Sequence, residues 1–152
     1  ALPFQDNSID VIVCNHTYEH VPEANRMMDE IFRVLKQEGF CYLAAGNKYM
    51  IIEGHYFLPF LSWLPKSLAH LYLKATGKGN FYYEEHLSFG RLRQLVRKFR
   101  IHDYTLSIIT NPEKFYATDL LDQRTFLYKW IRWLAPYLYP WIPTYIWILT
   151  KK

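Results

Sequence analysis

The first clear pattern in the chain is a continuous apolar run, Ile9-Asp10-Val11-Ile12-Val13-Cys14, behind the turn formers Asp6-Asn7-Ser8. Apolar residues at positions of both parities predict a strand buried on both faces, as in a parallel sheet packed between helices. From Pro22 to Lys36 the period lengthens. Met28, Ile31, Phe32 and Leu35 fall at i, i+3, i+4 and i+7, with Glu23, Arg26, Asp29, Arg33 and Lys36 elsewhere on the wheel. This predicts an amphipathic helix with a proline in its first turn. Gly39 is expected to stop it in a left-handed C′ conformation, and Phe40 to Ala45 to follow as a second buried strand. Strand, helix and strand with tight connections predict a right-handed βαβ unit.

Beyond Asn47 the pattern loosens into an aromatic stretch punctuated by proline, His55-Tyr56-Phe57-Leu58-Pro59-Phe60-Leu61-Ser62-Trp63-Leu64-Pro65, then a short helical piece to about Lys74 that Gly77-Lys78-Gly79-Asn80 ends. Residues 47–87 therefore read as a helical insertion folded as a lid. Ser88 is placed to cap a helix whose apolar residues are Leu92, Leu95, Val96 and Phe99. Ile101 to Thr110 resembles a strand, and Asn111-Pro112 turns the chain. A helix is predicted from about Leu120 to Leu138, with Leu127, Trp130, Ile131, Leu134 and Leu138 on one side. Thr144 to Thr150 is the last strand. No repeat or low-complexity tract interrupts this order.

A length of 152 residues suits one domain, and 51% hydrophobic residues suffice for a core. The net charge of +4 is mild and falls short of a nucleic-acid-binding tail, so no nucleic acid is expected as a partner. Cys14 and Cys41 lie in apolar runs without a metal-ligand spacing, which points to a reduced, cytoplasmic setting. No basic segment followed by an apolar one marks a signal peptide. The chain starts without methionine and enters a turn and a strand at once, which suggests a piece of a longer protein.

Taken in order, Leu2-Pro3-Phe4, Asp6 to Val13, Asn15-His16-Thr17-Tyr18-Glu19-His20-Val21 and Glu30-Ile31-Phe32-Arg33-Val34-Leu35-Lys36-Gln37-Glu38-Gly39 resemble the second half of the class I S-adenosylmethionine-dependent methyltransferases of the type 11 group. The close resemblance covers residues 2 to 45. It implies an α/β, Rossmann-like fold that is incomplete, its N-terminal strands missing, with a helical aromatic insertion and an antiparallel C-terminal strand. On that reading the 152 residues are the C-terminal part of one methyltransferase domain, and the cofactor is S-adenosyl-L-methionine. The family's glycine-rich loop and the acidic residue after its second strand are not in this sequence, and Gly77-Lys78-Gly79 lacks a buried strand before it. The chain alone is therefore expected to bind cofactor weakly or not at all and to be inactive, and its first strand to present an unpaired apolar edge. Ligands of open α/β sheets sit outside the carboxyl ends of the strands, so Asn15, His16 and Thr17 should face the cofactor. The resemblance places Asn15 and His16 near its methionine part and His20 near its adenine side.

Methyl transfer needs little acid or base chemistry, because the sulfonium already makes the methyl carbon electrophilic; the protein must align a nucleophile and exclude water. For a hydroxyl acceptor a base helps, and His55 and His86 are the candidates. With Tyr56 and Trp63 they form the expected acceptor-binding set, for a small or lipid-like molecule; for each histidine a packing or surface role is the alternative. His16-Thr17-Tyr18-Glu19-His20 also matches the zinc pattern H-x-x-E-H, but it follows a strand directly and has no obvious third ligand, so no metal is expected. Asn15-His16-Thr17 is formally a glycosylation sequon beside a buried strand, best explained as accident. The basic helix Arg91 to Arg100 with Tyr82-Tyr83 reads as a solvated face. Residues 126 to 149 are interrupted by Lys129, Arg132 and prolines, so they do not form a membrane span, although tryptophans beside basic residues suit peripheral membrane contact. Packing of these aromatics on the sheet and lid is the plainer expectation. A non-catalytic membrane-interface or scaffold module on a degenerate methyltransferase fold is the alternative to the enzyme.

Overall fold

The computed structural model describes residues 1–120 and 125–152. A four-stranded sheet organises it. β1 (Ile9–Asn15) pairs in parallel with β2 (Leu35–Gly46), and α1 (Ala24–Val34) connects them. The remaining elements of the sheet are β5 (Phe99–Asp103) and the last strand, β6 (Thr144–Lys151), which lies antiparallel between β2 and β5. The mixed α/β arrangement with an antiparallel final strand is thus present. α1 and α3 (Phe89–Leu95) pack on one face, over Cys14, Cys41, Leu43, Ala45, Tyr145, Trp147 and Leu149. Trp147, Leu43 and Leu149 are fully buried there; each such side chain contributes about 1.5–3 kcal/mol of transfer free energy.

Several expectations need correction. β1 is buried on one face only: Val11 and Val13 are 50% and 69% exposed, because β1 is an edge strand and no helix of the described residues covers that face. Its edge is the unpaired apolar one that the sequence suggests. Pro22 precedes α1 instead of lying in its first turn. Gly39 does not end the helix. α1 passes directly into β2 at Leu35, and Gly39 sits where the pairing register shifts between Ile9 and Val11. A Cβ there would lie 2.7 Å from the carbonyl oxygen of Asp10, so the close approach of β1 explains the glycine. Ile101 to Thr110 divides into β5 and a short helix, α4 (Thr105–Thr110). The helix expected over 120–138 is α5 (Phe126–Leu134); residues 121–124 lie outside the described residues.

The packing of α5 is also different. Tyr128 and Ala135 are buried, and the Tyr128 hydroxyl hydrogen-bonds to the carbonyls of Ile109 and Thr110. Trp130 and Leu138, expected on one side with Ile131 and Leu134, are exposed.

Residues 47–87 leave the end of β2 and return to it. They include a two-residue hairpin, β3 (Ile52–Glu53) with β4 (Leu58–Pro59), and α2 (Lys66–Ala75), which ends at Gly77 in the left-handed region (φ +68°). Leu58, Leu61, Ala69, Leu73 and Tyr82 form a small core of their own. Asn47, fully buried, joins this segment to the sheet. Its side-chain NH2 donates to the carbonyls of Pro140 and Ile142, both at 2.9 Å, and to the Tyr145 hydroxyl at 3.0 Å. It forms an isolated bridge with Leu87, whose carbonyl accepts from Lys48 N at 3.0 Å.

Candidate functional site

The loop after β1 lies at the carboxyl ends of the parallel strands. His16 takes a left-handed conformation (φ +47°) while its N–H bonds to Ala44 at 2.9 Å, so the chain turns sharply as it leaves the sheet. Asn15, His16 and Thr17 are exposed at this turn. Tyr18 and Glu19 point inward. The Tyr18 hydroxyl donates to the carbonyl of Gly46 and accepts from Leu87 N at 3.0 Å, joining the loop to both ends of the 47–87 segment. Glu19 is buried, and its Oε1 lies 3.1 Å from His16 Nδ1. Burial pushes its carboxyl up, but the His16 hydrogen bond and further attractions outweigh this and leave it below its ordinary value.

Opposite this loop is a second buried carboxylate. Glu53 is wholly inaccessible, and its Oε2 accepts from the backbone N–H groups of His55 and Tyr56, each at 2.9 Å. Its Oε1 meets His55 Nδ1 at 2.7 Å and His86 Nε2 at 3.4 Å. Burial opposes ionisation, yet the hydrogen bonds from His86, His55 and Tyr56 prevail and hold the carboxyl at about 2. His86 is held from behind by the end of β2: a Cβ on Gly46 would lie 2.9 Å from His86 Nδ1.

His20 completes the group, its ring edge to face with His55 at 4.8 Å, while His55 and His86 are 6.3 Å apart. The structure therefore brings together His20, expected on the cofactor side, and His55 and His86, expected on the acceptor side. It does not bring Tyr56 or Trp63 into the group. The Tyr56 ring packs against Tyr82 within the small core, and its backbone N–H is what reaches Glu53. Trp63 donates to the Met50 carbonyl and packs with Tyr49, Phe60 and Trp141 in an outer aromatic rim. The H-x-x-E-H pattern is also divided, since His16 pairs with Glu19 and His20 turns to His55.

Sequence reasoning weighs Glu19 only as part of the H-x-x-E-H pattern and misses Glu53 and Glu84. The signal available for the latter two was an acidic residue beside a histidine, in Ile51-Ile52-Glu53-Gly54-His55 and in Glu84-Glu85-His86. Two overlapping triads of ligand-type side chains occur here, His20-His55-Glu84 and Glu53-His55-His86, with the ligand atoms of each within 4.8 Å of one another. A separate cleft of about 620 Å3 lies between α1 and α3, beside Asp29, Arg91 and Lys98, and contains none of these histidines.

The family described as "Methyltransferase domain" matches residues 1–43. The resemblance read from Leu2 to Ala45 is borne out over this segment. An uncharacterized protein of Methanocaldococcus jannaschii is 36% identical over 59 residues, which are 39% of this chain and 26% of that protein. The uncharacterized methyltransferase YcgJ of Bacillus subtilis is 41% identical over 39 residues, 26% of this chain and 15% of that protein. Each match thus spans about a quarter or less of the relative's length. Among solved structures, a SAM-dependent methyltransferase from Methanosarcina mazei is similar at 23% identity over 67% of this chain and 51% of that chain, with a TM-score of 0.46.

The buried Glu53 carboxylate gives a pH-dependent prediction. Its carboxyl sits at about 2 in the fold against an ordinary 4.5, so its contribution to stability is complete above about 4.5 and is lost as pH falls through about 2. Glu53→Gln places an amide NH2 against the donors that face one of the two oxygens, and is expected to cost about 1–3 kcal/mol near neutral pH. Denaturant titrations of both proteins from pH 7 to pH 2 check this; the gap between them should narrow only below about 4.5.

Proposed function

We propose that this chain takes part in S-adenosylmethionine-dependent methyl transfer to a small or lipid-like acceptor. One observation carries the reading: the Asn15 to His20 loop, within the methyltransferase-domain segment, meets the Glu53–His55 pair through the contact of His20 with His55. Asn15, His16 and Thr17 face the cofactor, and His55 and His86 face the acceptor beneath residues 47–87, which act as its lid. The cofactor supplies an electrophilic methyl group. The chain orients the acceptor toward it and keeps water out. Retention of a buried carboxylate with two imidazoles on it favours a catalytic module over a non-catalytic scaffold, because an ionised buried group costs free energy unless several donors are held around it. No glycine-rich cofactor loop is part of these 152 residues, so this chain alone binds the cofactor weakly.

Photo-crosslinking tests the assignment at weak affinity. Irradiating the chain with S-adenosylmethionine carrying a radiolabelled methyl group should label the peptide containing Asn15 to His20, and unlabelled S-adenosylhomocysteine should compete. Labelling confined to other peptides would contradict the reading.

The lipid-like class of acceptor rests on the exposed aromatics. Phe126, Trp130, Trp133 and Tyr137 are exposed and in successive ring contact along α5 and the turn that follows it, with Lys129 and Arg132 among them. Tryptophans flanked by cations suit the headgroup region of a bilayer. No helix of the described residues is long and apolar enough to cross a membrane, so the contact is peripheral. Vesicles containing anionic lipid should sediment the protein, and the double variant Trp130→Ser, Trp133→Ser should bind them at least tenfold more weakly. Equal sedimentation of both proteins, or none of either, would contradict membrane contact.

A further inference from the structure

We propose that His20, His55 and Glu84 bind one divalent transition-metal ion of the zinc type, whose open position takes a hydroxyl oxygen of the methyl acceptor. Two imidazoles and one carboxylate with a fourth position free are a donor set that zinc uses in catalysis. The three ligand atoms lie within 4.8 Å of one another, whereas a tetrahedral ion with ~2.1 Å bonds needs about 3.4 Å between ligands. His20 is exposed, so its side chain is free to rotate toward the other two.

Two independent features point to a cation at this place. Glu84 is 8% exposed, and its Oε2 is buried without a hydrogen-bond partner. The neighbouring ammonium of Lys66 does not satisfy it; that group donates to the backbone carbonyls of Tyr82 and Glu84, at 3.2 and 2.6 Å. A carboxylate oxygen left in this state costs free energy that a bound cation removes. The second feature is the orientation of His55. Its Nδ1 is held by Glu53 at 2.7 Å, which leaves Nε2 as the free ring nitrogen. A carboxylate behind a histidine in this way fixes the ring and raises its basicity toward a metal. The overlapping triad of Glu53, His55 and His86 is the poorer site, because both Glu53 oxygens already accept hydrogen bonds from the protein.

The ion's task rests on the methyl-transfer reading; its binding does not. A hydroxyl on the open position loses its proton to water at the exposed His20 edge of the site, outside the acceptor pocket, because a bound dication lowers its pKa. The resulting oxyanion attacks the methyl carbon. The O–C bond forms as the C–S bond breaks, and sulfur keeps the electron pair as neutral S-adenosylhomocysteine.

Cobalt(II) titration of the purified chain, followed by visible absorption, tests the site. Saturation at one equivalent with bands of a low-coordinate ion, and their loss on adding zinc, is the expected result. His20→Ala and Glu84→Gln should each weaken binding more than tenfold; Glu53→Gln, acting through His55, should weaken it about 10- to 100-fold. His102→Ala, on β5, should leave it unchanged. His20 is exposed, so its variant keeps the fold, and circular dichroism checks the others. Failure of the wild type to saturate at one equivalent, or bands unchanged in His20→Ala, would overturn the proposal. Crosslinking of cofactor without cobalt binding removes the ion and keeps the methyl-transfer reading. Cobalt binding without specific crosslinking does the reverse.

Discussion

The organisation of the site depends on the buried carboxylate of Glu53. An ionised group without solvent persists only where its oxygens are surrounded by donors, and here two backbone N–H groups and two imidazoles supply them. Those donors come from separate parts of the chain. His55 and Tyr56 belong to the turn between β3 and β4, and His86 to the segment that returns to the sheet. One charge therefore closes the 47–87 segment on itself. It also fixes the orientation of the His55 and His86 rings. Gly46 completes the constraint, since a side chain there would drive His86 off the carboxylate.

The remaining contacts extend this arrangement to the loop after β1. The Tyr18 hydroxyl touches the end of β2 at Gly46 and the end of the insertion at Leu87. Asn47 connects the same place to Pro140 and Ile142 ahead of the last strand and to Tyr145 within it. The loop, the insertion and β6 thus meet within a few residues of one strand end. That is the position at which open α/β sheets hold ligands.

Much of the framework was legible because it rests on periodicity. The run Ile9 to Cys14, the 3.6-residue spacing of Met28 and Ile31, and the terminal run from Thr144 each specify an element by repetition. Misreadings occurred where a residue had more than one physical explanation. Gly39 fits a helix stop as well as a close approach of strands, and only the contact with Asp10 decides between them. Val13 fits a covered strand, but its exposure depends on what lies beside β1. Along α5 the aromatics occupy more than one face, so apolar spacing could not tell that Tyr128 is buried while Trp130 and Trp133 are exposed. In the site the histidines were visible by their chemistry. Glu53 and Glu84 were not, because a single acidic residue has no period, and its burial follows from partners that the fold assembles.

The proposed pocket lies where the Asn15 loop meets His55. A crystal structure of the protein soaked with S-adenosylhomocysteine is the direct test. Ligand density is expected within hydrogen-bonding distance of Asn15, His16 or Thr17, with the sulfur on the side of His55. Density in the cleft between α1 and α3, with none against the Asn15 loop, would contradict it.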